Sequence, residues 1–160
     1  MTHRIRRQLR AEDLDSIKEI VVSTNFFNEE EVAIALELVE ENLLKGEKLS
    51  GYIFNIYEID AIPVAFICFG KISGTTNSFD LYWIVVHEAY KRKGIGLVLM
   101  NEVKVYVAQQ GGGQIWIETS SRPLYAPTHQ FYLQCGCKKM SKLPHYYAQG
   151  DHKITYRLIV

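Results

Sequence analysis

A short basic turn at residues 91–96, with the sequence KRKGIG, is the stretch best suited to bind a ligand. Gly94 and Gly96 carry no Cβ atom, so a ligand can approach their backbone closely. The spacing of the next apolar residues predicts that a helix starts here. The first N–H groups of a helix have no intrahelical partner and lie at the positive end of its dipole. The turn therefore predicts a seat for phosphate oxygens, with cationic side chains just before it.

The same turn has a purely structural alternative. Glycines also permit a tight connection between a strand and a helix, and basic residues in such a turn are often simply solvated. Two other phosphate-binding patterns do not fit the sequence. The dinucleotide pattern requires a third glycine where this chain has Leu99, and the Walker pattern ends in Gly-Lys-Ser/Thr, a triplet that the chain lacks.

The residues before the turn predict the element that positions it. Residues 79–86 (FDLYWIVV) are rich in β-branched and aromatic side chains, which is typical of a strand buried on both faces. After the turn, apolar residues recur at helical spacing at Leu97, Met100, Val103 and Val107. A central strand is therefore expected to pass through the turn into a helix.

Composition excludes several classes of protein. The 160 residues carry a formal net charge of zero, which argues against a dedicated nucleic-acid binder. The N-terminal residues lack the apolar core of a signal peptide. The longest apolar run, residues 61–69, is interrupted by Pro63 and is too short to span a bilayer. The three cysteines do not form a disulfide framework or a zinc pattern, which predicts a reducing compartment and hence a cytoplasmic protein with no metal site.

The whole chain is predicted to form one α/β domain over residues 1–160, with a mixed sheet of about seven strands flanked by about four helices. The expected order is β-α-α-β-β-β-α-β-α-β-β. Asn28 followed by Glu31 resembles a capping box at the second helix, which is expected to end at Lys45-Gly46. The predicted strands cover residues 4–9, 52–59, 62–72, 79–86, 114–119, 137–143 and 153–160. Residues 144–152 are expected to form a loop.

Two motifs, in this order, resemble those of the GCN5-related N-acetyltransferases. The turn at 91–96 resembles the family's Arg/Gln-x-x-Gly-x-Gly/Ala motif, with Lys91 in the first place. The family's second motif resembles the set formed here by Tyr125, Thr128, Phe131-Tyr132 and Gly136. In the family, Asn and Ala are frequent at the positions of Tyr125 and Thr128. The resemblance covers essentially the whole chain.

This resemblance implies acyl transfer from acetyl-CoA to an amine. It places the pantetheine arm of the cosubstrate along the central strand and the pyrophosphate on the backbone of the turn. The implied cofactor-binding residues are Ile84, Val85, Val86, Lys91, Arg92, Lys93, Gly94, Ile95, Gly96 and Tyr125. The resemblance also implies that a backbone N–H near Val86 stabilises the oxyanion.

Tyr132 matches the tyrosine that protonates the departing thiolate in this family. Its structural alternative is a core aromatic residue on a short helix. The general base is less constrained: Glu118, near the end of a strand, is the first choice, and a salt-bridged or solvent-facing strand residue is the alternative. The histidines His87, His129 and His145 are expected to be surface residues.

The main functional hypothesis is an acetyl-CoA-dependent N-acetyltransferase that acts by direct transfer in a ternary complex. Its acceptor would be a small-molecule or protein primary amine, held by residues 24–27 and by the loop of Tyr146 and Tyr147. An equal alternative is that these two rings pack their loop onto the domain. One alternative is a regulatory module that binds acyl-CoA without turnover, which would not need Tyr132. Another is a structural subunit that binds no CoA. A homodimer is a reasonable expectation for the fold.

Overall fold

The computed structural model describes residues 1–160 and contains seven strands and four helices. The helices are α1 (Asp13–Ser23), α2 (Glu29–Ser50), α3 (Ile95–Gln109) and α4 (Ala126–Gln134). The strands are β1 (His3–Arg6), β2 (Ile53–Ile59), β3 (Ile62–Lys71), β4 (Ser78–Val86), β5 (Gln114–Ser120), β6 (Lys138–Ala148) and β7 (Asp151–Ile159). The predicted fold class and element order are confirmed.

The strands form one mixed sheet in the order β1-β2-β3-β4-β5-β7-β6. The β4–β5 pair is parallel, whereas the pairs β1–β2, β2–β3, β5–β7 and β6–β7 are antiparallel. The register of β4 with β5 covers only Ser78–Leu81 against Gln114–Ile117. The remaining residues of β4, up to Val86, therefore extend beyond the part of the strand that is paired with β5.

Contacts divide the chain into two compact units. The first unit comprises Met1–Gly70 and Tyr82–Val103, and the second comprises Lys71–Leu81 and Lys104–Val160. That residues 1–160 form a single domain stays a prediction. No helix of the chain is both long enough and apolar enough to cross a membrane.

The core of the first unit lies where α1 and α2 cover β2 and β3. Apolar residues at helical spacing, such as Ile17 and Val39, are fully buried against Phe54 and Phe66 of the strands. Helix α2 begins with the predicted capping box. The Glu31 N–H donates to Asn28 Oδ1 at 2.8 Å, and the Asn28 N–H donates to Glu31 Oε2 at 3.0 Å.

A buried ionic network ties three elements of the first unit together. The Arg6 guanidinium of β1 donates to both carboxylate oxygens of Asp13 at the start of α1, at 2.7 and 2.8 Å, and to Glu58 Oε1 of β2 at 2.8 Å. All three side chains are almost completely buried. Hydrogen bonding to Asp13 raises the pKa of Arg6, so the cation persists at every accessible pH.

The sheet of the second unit has one covered face and one open face. Ile117 and Tyr156 belong to the face that packs against α4, whereas Glu118 and its partner Thr155 belong to the opposite face, because successive strand residues alternate. Strand β6 is the outer edge of the sheet and is exposed along almost its whole length. Three lysines occupy this strand: Lys138, Lys139 and Lys142.

The predicted end of the second helix at Lys45-Gly46 coincides with a break in α2, since Gly46 adopts φ 79° and ψ 169°, and a second helical segment then continues up to Ser50. One predicted boundary is wrong. The predicted loop 144–152 is instead a β-hairpin, in which β6 reaches Ala148 and β7 begins at Asp151. The pairing of β6 with β7 has an irregular register between Leu143 and Ala148, where His145 adopts φ 56°.

Candidate active site

The basic turn follows a short 3₁₀ helix, Glu88–Tyr90, whose start is anchored within the first unit. The His87 N–H donates to the carbonyl oxygen of Val64 at 2.8 Å, which continues the hydrogen bonding of the sheet. The Glu88 N–H donates to Ser23 Oγ at the end of α1 at 3.1 Å. These contacts fix the entry of the chain into residues 91–96.

The backbone of the turn is open toward solvent where α3 begins. Gly94 has φ 79°, a conformation that favours glycine, and a Cβ atom added there would meet no atom within 4 Å. The carbonyl oxygen of Gly94 accepts the first helical hydrogen bond, from Val98 N–H at 3.2 Å. Helix geometry then leaves the N–H groups of Ile95, Gly96 and Leu97 without an acceptor in the helix. These groups are arranged to receive an anion.

The three basic side chains of the turn differ in their surroundings. Lys91 Nζ pairs with Glu88 Oε2 at 2.7 Å, and this contact lowers the pKa of the Glu88 carboxyl. Lys93 Nζ lies 5.3 Å from the ring centroid of Tyr90. Arg92 is exposed and makes no ion pair. The positive charge that the sequence predicts is therefore present, although part of it is already neutralised by Glu88.

Of the three residues of β4 that were predicted to contact the ligand, only Ile84 and Val86 have side chains directed away from the core. Val85 is buried in the apolar cluster under α1 and α2, and Trp83 packs against that cluster as well. Ile84 and Val86 are half-buried and alternate with them, so they belong to the other face of the strand. A ligand lying along this strand can contact Ile84 and Val86 through side chains and Val85 through the backbone.

Tyr132 lies on α4 in the second unit and is 7% exposed. Its ring packs against Tyr156, with the ring centroids 5.7 Å apart, and its hydroxyl makes no hydrogen bond within the chain. Burial raises the pKa of this hydroxyl, so it holds its proton at neutral pH. Tyr125, directly before α4, stacks with the Arg122 guanidinium, which lies 5.3 Å from its ring centroid.

His129 is the residue whose role the sequence did not indicate. Its Nε2 lies 2.8 Å from the carbonyl oxygen of Ser120, and its Nδ1 lies 2.6 Å from the Tyr156 hydroxyl. Because a carbonyl oxygen can only accept, Nε2 carries the proton and Nδ1 accepts from Tyr156. His129 thus joins α4 to β5 and β7 and orients the tyrosine that supports Tyr132. The sequence could not indicate this role, because it depends on contacts with Ser120 and Tyr156 that only the folded chain creates.

Glu118 belongs to the open face of β5 and is ion-paired. Its Oε1 lies 2.9 Å from Lys153 Nζ of β7, and its side chain is 56% exposed. Tyr132 lies on the opposite side of these strands, so the structure does not bring the two predicted catalytic residues together. The alternative interpretation of Glu118, a salt-bridged strand residue, agrees with this contact. A role of Glu118 as general base stays a prediction.

The two segments expected near an acceptor both contain aromatic rings in edge-to-face contact. In the first unit, Phe27 contacts both Phe26 and Trp83 with centroids 5.0 Å apart. In the second unit, Tyr146 and Tyr147 contact each other at 5.1 Å. No group of three or more His, Cys, Asp or Glu residues is arranged to hold a metal ion.

The sequence model of the acetyltransferase (GNAT) family matches residues 14–137. The match includes the basic turn and the tyrosine of α4. The chain therefore belongs to the acetyltransferase (GNAT) family and is, by class, an N-acetyltransferase, as the two motifs predict. No curated protein matches the sequence significantly.

Solved structures agree with this assignment. A GNAT-family protein from Desulfovibrio desulfuricans is 37% identical, with 99% of both chains covered and a TM-score of 0.95. Ard1 from Thermoplasma volcanium is 21% identical, with 100% of this chain and 99% of that chain covered and a TM-score of 0.76. PaiA N-acetyltransferase from Thermoplasma acidophilum, in complex with coenzyme A, is 18% identical, with 97% and 98% covered and a TM-score of 0.73. The Ard1 and PaiA structures share the fold of this chain.

Proposed function

We propose that this protein transfers the acetyl group of acetyl-CoA directly to a primary amine within a ternary complex. The observation that carries the proposal is the open backbone at Gly94, where three N–H groups at the start of α3 have no acceptor in the helix and can bind an anion. The exposed Arg92 and Lys93 add positive charge beside them. The presence of coenzyme A in the PaiA complex supports the same class of cosubstrate here.

Acetyl-CoA supplies the activated thioester, and the side chains of this protein move the protons. From the face of the strands opposite Tyr132, Glu118 removes a proton from the acceptor ammonium so that the nitrogen lone pair can attack the acetyl carbon. The carbon–nitrogen bond forms, and the carbon–sulfur bond then breaks. Tyr132 gives its proton to the departing thiolate and regains one from solvent. The second proton lost from the nitrogen and the proton held by Glu118 pass to solvent, so one proton is released in total. The backbone near Val86 stabilises the oxyanion of the tetrahedral intermediate.

The cysteines favour direct transfer over an acetyl-cysteine intermediate. A thiol must ionise to act as a nucleophile. Burial raises the pKa of Cys135 to about 11 and that of Cys137 to about 12, and Cys68 is completely buried. All three are free thiols, which supports a reducing compartment such as the cytoplasm.

The alternative function is an acyl-CoA-binding module without turnover. Such a module would need the phosphate seat but no proton donor. Tyr132 favours the enzyme, because the residue is largely buried while its hydroxyl makes no hydrogen bond within the chain and is not sealed from solvent. The acceptor remains defined only as a primary amine of a small molecule or protein, and a homodimer stays a prediction to be measured by analytical ultracentrifugation.

A pair of glycine variants tests the cosubstrate site. Gly94 and Gly74 have nearly the same φ, 79° and 78°, and a Cβ atom at either position meets nothing within 4 Å. Gly94→Val and Gly74→Val therefore introduce similar backbone strain, but only Gly94 lies in the phosphate seat. We expect calorimetry to show acetyl-CoA binding in the wild type and in Gly74→Val, and binding weakened at least tenfold in Gly94→Val.

Thiol release across a panel of amines then tests turnover. Release of CoA with some amine would support the transferase. Binding without release from any amine would favour the acyl-CoA-binding module. Equal affinity in the two glycine variants would show that the cosubstrate does not use the turn.

A further inference from the structure

Lys153 occupies an unusual position on the open face of the second unit. Its ammonium lies 2.9 Å from Glu118 Oε1 and 4.3 Å from the ring centroid of Tyr146. The side chain is only 13% exposed, whereas that of Glu118 is 56% exposed. The lysine is thus packed between a carboxylate and an aromatic face, and this contact restricts the more exposed glutamate.

A second carboxylate shares this surface. Asp80 of β4 lines a cavity of ≈ 240 Å³ together with Glu118, Trp116 and Thr155. Asp80 makes no hydrogen bond or ion pair, and burial, together with the nearby Glu118, raises its pKa, while Lys153 lowers it. Lys153 therefore offsets the repulsion between two carboxylates that face one cavity.

Other ionisable groups surround this cluster on every strand that packs against it. Burial and Glu118 raise the pKa of Tyr147 on β6, and Lys153 opposes this shift. Asp151 is held by Ser120 and Arg122 and is therefore already partnered. Arg157 lies opposite Trp116 in the sheet and makes no ion pair with Glu118. Among these groups, Lys153 is the cation in direct contact with the candidate base.

We propose that Lys153 is a positioning residue for the transfer reaction, which holds the Glu118 carboxylate toward the cavity that Asp80, Trp116 and Thr155 also line, where the acceptor amine would bind. The proposal rests on the proposed function. A carboxylate that loses its cationic partner and keeps a like-charged neighbour binds a proton more readily. Without Lys153, Glu118 would become protonated at a higher pH and could then no longer accept the proton of the amine.

The test compares Lys153→Met with Lys153→Arg. Methionine keeps the packing of the stem without the charge, whereas arginine restores the charge. In the pH profile of kcat/KM, we expect the acidic limb of Lys153→Met to move to higher pH, because the carboxylate loses its cationic partner. Lys153→Arg should return the limb toward its wild-type position. Lys139→Met, an exposed and unpaired lysine on β6, is the matched control and should leave the profile unchanged.

Two outcomes separate this proposal from the proposed function. If the wild type turns over and Lys153→Met has the wild-type profile, the role of Lys153 is refuted while the transferase stands. If no amine is acetylated, the carboxyl of Glu118 can still be titrated by NMR with ¹³C-labelled glutamate. An upward shift of that titration in Lys153→Met supports the positioning role, and an unchanged titration overturns it.

Discussion

At the scale of single residues, Tyr132 combines features that suit a general acid. Its ring is fixed by Tyr156, which His129 holds in turn, and its hydroxyl is protonated and makes no hydrogen bond within the chain. A donor prepared in this way can transfer its proton without first breaking an internal hydrogen bond. Its contribution should therefore appear in the chemical step rather than in binding.

Tyr132→Phe should leave acetyl-CoA affinity nearly unchanged and lower kcat by roughly 10²-fold or more, the usual scale for loss of a general acid. The ring and its contact with Tyr156 are retained, so the melting temperature should stay close to that of the wild type. Steady-state thiol release and calorimetry on the same preparation measure both effects. A kcat unchanged across the pH range would remove Tyr132 from the mechanism.

The residues of the site could be predicted from sequence to different degrees. Tyr132 and the turn at 91–96 could be located because each belongs to a local motif with fixed spacing. The partners His129 and Lys153 could not, because their roles depend on contacts with Ser120, Tyr156 and Glu118 that only the folded sheet creates. Val85 was predicted among the ligand contacts, yet its side chain belongs to the core.

At the scale of elements, the β6–β7 hairpin depends on two neutral imidazoles. The His145 N–H donates to His152 Nδ1 at 2.8 Å, and the Gly150 N–H donates to His145 Nδ1 at 2.9 Å. Both ring nitrogens act as acceptors, which is possible only while they are unprotonated. The sequence predicted a loop at residues 144–152, because these side-chain-to-backbone bonds were not visible in any local pattern.

The tip of this hairpin should loosen as the pH falls. Partial burial and the nearby Lys142 and His145 lower the pKa of His152, against the effect of Asp151. A lowered pKa of a base in the folded state means that its contribution to stability is present above the unfolded value of 6.5 and is lost as the pH falls through the folded value. NMR amide protection of His145, whose N–H donates to His152, should therefore fall as the pH drops below 6.5.

The amide of Ile154, in the interior of β7, serves as the control for this measurement and should keep its protection over the same range. His152→Asn should make the protection of His145 independent of pH. Equal loss at the amides of His145 and Ile154 would instead indicate general unfolding of the second unit.

At the scale of the whole molecule, a net charge of zero means that attraction of an anionic ligand depends on the local charge of the turn. Binding to the folded state alone also stabilises that state by mass action. At a ligand concentration of ~100 Kd, this linkage amounts to about 2.7 kcal/mol, which for a chain of this size corresponds to a rise in Tm of roughly 5–10 °C.

Thermal unfolding with and without CoA should show this rise in the wild type and in Gly74→Val, and little or none in Gly94→Val. Because the turn is exposed, the rise should shrink at high salt, where charges at the surface are screened. A rise of equal size in Gly94→Val, or one that salt leaves unchanged, would contradict an anionic seat at the turn.

The fold as a whole was the most predictable feature, because α1, α2 and β2 to β5 each carry a strong apolar period. The register and the order of β7 before β6 at the edge were not predictable, since they depend on pairings between residues far apart in the chain.

The buried network of Arg6, Asp13 and Glu58 restricts how this sequence can diverge. Loss of Arg6 alone would leave two buried carboxylates without a counter-ion, which typically costs about 3–5 kcal/mol, a large share of the stability of an ordinary domain. Loss of one acid still leaves the cation with a partner. In related sequences we therefore expect substitution of Asp13 or Glu58 to precede substitution of Arg6. Sequences that lack the arginine should also lack at least one of the two acids.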